Sequence, residues 1–103
     1  MVLRGKQKRF LRSKAHNLRP LFQIGKEGLS ENWLENVNDA IEKRELLKVT
    51  ILQNSLVSTD EVSEFVEKHS AITVVQKIGH VLVLYKKSAD KENREISAEV
   101  EQI

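Results

Sequence analysis

Leu21-Phe22-Gln23-Ile24-Gly25-Lys26-Glu27-Gly28-Leu29-Ser30 passes within a few residues from a β-prone run, through a turn bounded by two glycines, to the start of a helix. Residues 21–24 are too short and too β-rich for a helix and read as a strand. Pro20, just before them, bars continuation of any preceding helix and biases Arg19 away from helical geometry. Residues 25–28 read as a loop. Ser30 is a helix N-cap type, with Glu31 in the first turn where the helix dipole favours an acid. Leu29 and Leu34 have the spacing of a hydrophobic staple across that cap. A strand, a tight loop and a capped helix open a β-α-β unit, and the class is therefore α/β.

Working outward, residues 5–18 read as a first helix, with Leu11, Ala15 and Leu18 forming one buried stripe at i, i+4 and i+7. The helix after Ser30 runs to about Glu45, and its apolar face is Trp33, Leu34, Val37, Ala40 and Ile41. Residues 47–52 alternate as a strand with Leu47, Val49 and Ile51 on one side. Ser58 and Glu61 form a capping box for a helix over 59–69 that buries Val62, Phe65 and Val66. Residues 72–78 and 81–85 are β-branched runs joined by Gly79-His80, a two-residue hairpin of the II′ kind. The expected architecture is α-β-α-β-α-β-β, a four-stranded mixed sheet with right-handed crossovers and helices mainly on one face. Residues 1–87 form the domain. Residues 88–103 read as an acidic, disordered tail in which Ile96, Val100 and Ile103 line one side of a weak helix.

Composition narrows the function. The chain has 103 residues and no Cys, which removes disulfides, thiolate metal sites and cysteine nucleophiles together. No apolar run approaches the roughly 18 residues of a membrane span. No apolar segment of a secretory signal follows the basic N-terminus, so a cytoplasmic location is expected. The net charge of +2 hides an asymmetry: across residues 1–26 there are Arg4, Lys6, Lys8, Arg9, Arg12, Lys14, Arg19 and Lys26 and no acid. A surface that merely keeps a protein soluble mixes its signs, so this end is suited to a polyanion.

Catalytic arrangements are not apparent. His16, His69 and His80 share no metal-ligand spacing with one another or with an acid. Glu31, Glu35 and Asp39 read as a solvated helix face, and no nucleophile elbow, P-loop or dinucleotide fingerprint is present. No cofactor and no small-molecule substrate is expected. Two glycines around a turn are, taken alone, ordinary turn chemistry. Here they lie between a strand and a capped helix, where glycine permits close backbone approach and the free N–H groups of the helix suit a phosphate. Gly25, Lys26 and Gly28 are thus candidate backbone-clamping residues, with Glu27 as a carboxylate inside the loop. Exposed aromatics on the strands are limited to Phe22 and Tyr85, and Trp33 is expected in the core, so phosphate contacts should outweigh base readout.

These residues carry a family resemblance. Leu3-Arg4-Gly5-Lys6-Gln7-Lys8-Arg9-Phe10-Leu11-Arg12-Ser13-Lys14-Ala15-His16 is similar to the opening of the YhbY-like proteins, stand-alone bacterial CRM domains. Phe22-Gln23-Ile24-Gly25-Lys26-Glu27-Gly28, Glu45-Leu46-Leu47-Lys48-Val49 and Ile78-Gly79-His80-Val81-Leu82-Val83-Leu84-Tyr85-Lys86 follow in that family's order and spacing. The resemblance spans about residues 2–87. It implies a fold like the C-terminal domain of translation initiation factor three, and RNA binding without catalysis or cofactor. It implies a place in large ribosomal subunit assembly, with precursor rRNA as partner. Its site residues would be Lys6, Lys8, Arg9, Arg12 and Lys14 on the first helix and Gly25, Lys26 and Gly28 in the loop. Apart from the resemblance, Lys86 and Lys87 at the end of the last strand are expected to extend the contact. The alternative is a protein-interaction adaptor whose basic helix docks on an acidic partner.

Overall fold

Alternation along residues 46–51 sends successive side chains to opposite sides of a strand, and the molecule is built around that division. The computed structural model describes residues 2–103. The elements are α1 (Gly5–Ala15), β1 (Phe22–Ile24), α2 (Glu31–Arg44), β2 (Leu46–Ile51), α3 (Thr59–His69), β3 (Thr73–Ile78), β4 (Val81–Tyr85) and α4 (Glu95–Glu101), with a 3-10 turn at Lys91–Asn93 before α4. The sheet order is β1-β2-β4-β3. β1 and β2 are parallel, while β4 is antiparallel to both β2 and β3. The second crossover therefore skips one position, and the β3–β4 hairpin fills it. Gly79 has φ of 54° and His80 is not left-handed, as a Gly-X II′ turn requires.

Leu47, Val49 and Ile51 join Leu34, Val37, Ile41, Val62 and Val66 in a core under α2 and α3. The helices were expected mainly on one face, but they cover both, because the C-terminal segment adds a helix that packs beside α1 on the second face. Leu46 on β2 meets Leu11, Ala15, Val75, Val83, Tyr85 and Val100 in a second core under α1 and α4. A bulge in β3 between Val74 and Gln76 turns Val75 and Gln76 toward the same side, which fits Val75 into that second core.

Two further expectations are corrected. α1 ends at Ala15 and not at 18, so Leu18 leaves the stripe and is 40 % exposed. Pro20 has no N–H to give to His16 O; the Lys48 Nζ reaches that carbonyl instead, at 3.5 Å. The segment read as a disordered tail holds α4, with Val100 buried and Ile96 packed beside it. Glu45 anchors it. This buried side chain sits in the left-handed C-cap of α2 (φ 63°), and its carboxylate accepts the backbone N–H groups of Ser88 and Ser97, each at 2.8 Å. Glu42 accepts the N–H of Ala89 at 2.8 Å. A local reading of the sequence finds none of these pairings, because their partners lie some fifty residues apart.

Candidate nucleic-acid interface

The turn at residues 25–28 closes by a hydrogen bond from Gly28 N–H to Gly25 O, 3.1 Å. Lys26 and Glu27 form its exposed tip. Neither has positive φ, whereas Gly28 has φ of 73°; this is the type I pattern with glycine at the fourth position. On one side the turn is fixed by β1, where Leu52 N–H bonds Ile24 O at 2.8 Å. On the other side Ser30 caps α2, its hydroxyl accepting Trp33 N–H at 3.0 Å. The Trp33 indole N–H also donates to Gln23 O at 3.1 Å, so this half-buried ring braces the loop and packs on the core. Ile24 pairs with Ile51, and Ile51 N–H reaches His80 O at 2.7 Å. The glycine loop and the Gly79–His80 turn are consequently at the same end of the sheet.

α1 lies across the second core and divides its basic residues into three sets. Leu11 and Ala15 face the sheet. Lys8, Arg12 and His16 follow one flank at i, i+4 and i+8. Arg12 and His16 line a cleft of about 220 Å³ with Lys48, Ile78 and Val81, on the side of the loop and hairpin. Lys6 and Arg9 lie on the helix face opposite Leu11 and Ala15 and are exposed. The other flank turns to α4: Gln7 Nε2 donates to Val100 O at 3.0 Å, Arg4 bonds the Ile103 carbonyl, and Lys14 lies 3.8 Å from the Glu99 carboxylate.

Lys14 is accordingly set apart from Arg12, although both were read as one cluster. Lys86 and Lys87 are also engaged, with Glu42 and Glu101 respectively, and do not extend a free cationic surface. Conversely, the fold brings up cations that the sequence did not place. Lys48 joins Arg12 through β2, and Arg19, Lys43 and Arg44 line a cleft of about 490 Å³ beside Lys14. An outward lysine in an alternating strand was the available signal for Lys48; nothing local signalled the α2 terminus. No group of His, Cys, Asp or Glu among the described residues could hold a metal ion. No helix of the described residues is long and apolar enough to cross a membrane.

Comparisons with known proteins identify the family. The CRS1/YhbY (CRM) domain model matches residues 3–86. The Bacillus subtilis protein named "Probable RNA-binding protein YqeI" is 50 % identical over 95 residues, covering 92 % of this chain and 97 % of its own length. A Haemophilus influenzae protein named "RNA-binding protein" is 34 % identical over 89 residues, covering 86 % and 90 %. A solution structure of a Staphylococcus aureus protein, described as a candidate RNA-binding protein, superposes with a TM-score of 0.73 at 44 % identity, covering 91 % of this chain and 98 % of that one. With a continuous family match, near-full-length relatives and the same fold, the chain belongs to the CRS1/YhbY (CRM) domain family.

Proposed function

We propose that this chain is a non-catalytic, cytoplasmic RNA-binding protein that acts on precursor rRNA during large ribosomal subunit assembly. The outer face and loop-side flank of α1 (Lys6, Lys8, Arg9 and Arg12) neutralise phosphates, and the Gly25–Lys26–Gly28 turn clamps a short length of backbone. The observation that carries this reading is that these cations are exposed on α1 and that one of them, Arg12, lines a cleft with Ile78 and Val81 at the sheet end that also presents the glycine turn and the N-terminus of α2. An α-helix N-terminus attracts phosphate through its unpaired N–H groups, and the cations add counterion release. The relatives' names support RNA as the polyanion.

The test is the salt dependence of RNA affinity. For a single strand, log K should fall against log salt by about 0.7 for each phosphate neutralised. Changing Lys8, Arg9 and Arg12 together to Glu should abolish binding at physiological salt and flatten that slope. Affinity that survives the triple change rejects the mechanism. Crosslinked RNA mapping outside large-subunit rRNA rejects the assembly role. Partners that co-purify after nuclease treatment would instead support the adaptor reading.

A further inference from the structure

The cleft between α1 and the β3–β4 hairpin has features that a phosphate grip alone does not need. Its floor is apolar, formed by Val81 and Val83. Ile78 stands at its edge, 58 % exposed, with no packing role that explains an aliphatic side chain there. Gln76, turned to this face by the β3 bulge, adds an amide that can both donate and accept. Arg12 and Lys48 border the cleft from α1 and β2, and no carboxylate among the described residues lines it. The larger cleft on the opposite face, beside α2 and α3, is of mixed charge, lined by Glu31 and Glu35 as well as His69 and Lys86.

The volume, about 220 Å³, is below the ~300–1,000 Å³ usual for drug-sized ligands and cofactors. Flat apolar area, an amide for an edge and cations on the rim match a single nucleotide. We propose that this cleft takes one unpaired nucleotide of the bound RNA, its base on Ile78, Val81 and Val83, its edge toward Gln76 and its phosphates on Arg12 and Lys48. A base inside a duplex is stacked and cannot enter, so the cleft makes the protein a reader of single-stranded or looped RNA. This rests on the RNA-binding reading above and adds to it a contact that phosphate neutralisation does not provide.

The experiment measures, with the full chain at one salt concentration, the affinity for a short single-stranded oligoribonucleotide and for an abasic strand of the same length. The intact strand should bind about tenfold more tightly, the effect of withdrawing part of one base's apolar surface from water. A duplex of the same length should compete no better than the abasic strand. Ile78→Ser, at an exposed position that the fold tolerates, should bring the intact strand down to the abasic level. Equal affinity of the unaltered protein for both strands overturns the cleft while leaving the phosphate grip in place. So does a tenfold preference that persists in Ile78→Ser. Failure of both strands to bind even at low salt removes the RNA-binding reading itself, and the cleft with it.

Discussion

Gly25 and Gly28 look equivalent in the sequence, yet the backbone asks different things of them. A Cβ on Gly25 would meet Leu52 Cδ1 at 3.5 Å and Asn54 Oδ1 at 3.9 Å, ordinary contacts. A Cβ on Gly28 has open space, its nearest neighbour being Val57 Cγ1 at 4.0 Å, but φ is 73°. Left-handed geometry costs an L-residue about 1–2 kcal/mol. Gly28→Ala should therefore lower stability by about that amount in denaturant titration, and Gly25→Ala by much less. Glu45 shows the opposite solution at the same kind of backbone position. It tolerates φ of 63° because its carboxylate satisfies two backbone N–H groups that would otherwise be buried without partners. Its neighbour in the second core, Tyr85, is fully buried, and its hydroxyl has no hydrogen-bond partner among the described residues. Burial, and then the negative charges of Glu45 and Glu101, push its phenol up to about 12. The unfolded phenol titrates near 10. Between these values the unfolded state has lost its proton and the folded state has not, so stability is complete below pH 10 and falls as pH rises toward 12. The loss approaches about 3 kcal/mol. Tyr85→Phe should remove this part of the alkaline loss and cost little at neutral pH, which paired urea titrations at pH 7 and pH 11 would measure.

Local pattern and tertiary partner contributed unequally to the secondary structure. Ser30, Ser58 with Glu61, and the Gly79–His80 turn act within a few residues, and the helices and strands they bound follow from them. α4 was harder to read because a seven-residue helix cannot sustain itself in water; Gln7 and Glu45, from other parts of the chain, hold it in place, and its own Val100 is buried in the second core. The same limit applies to the candidate site. A run of cations identified α1, but only packing tells which flank each one occupies. Arg12 lines the cleft on the loop side, while Lys14 faces Glu99 across 3.8 Å. Both ends of the Lys14–Glu99 pair are about half exposed, so the pair itself adds little stability. It does, however, place an anion beside one cation of α1. Arg12→Gln should reduce the salt slope of RNA binding by about 0.7, one phosphate's worth on a single strand. Lys14→Gln should reduce it by less than half as much. Equal reductions would mean that the RNA covers both flanks and displaces α4.

The sheet separates two tasks. Under α2 and α3 it buries the larger core, and the clefts on that side carry acids, Glu31 and Glu35 in one and Glu61 and Glu64 in another. Under α1 and α4 the second core leaves part of the face uncovered, and the cationic cleft lies there. α4 belongs to both sides of this division, since it completes the second core with Val100 and Ile96 while carrying acids toward α1. Deleting residues 88–103 should therefore move stability and affinity in opposite directions. It takes away five acids and two cations. It also uncovers Tyr85 and Val75 and removes a fully buried Val100, a side chain whose burial is worth about 1.5–3 kcal/mol. With the lost Glu45 hydrogen bonds, the total cost should be about 3–5 kcal/mol. For a domain of this size that lowers Tm by on the order of 20 °C. RNA affinity at low salt, measured well below the new Tm, should rise, because Lys14 and Arg4 lose their C-terminal partners while the α1 flank facing the cleft is untouched. An unchanged Tm would show that α4 does not support the second core. A fall in affinity at a temperature where the truncated chain is still folded would show that the acids of α4 position α1 for RNA and do not compete for it.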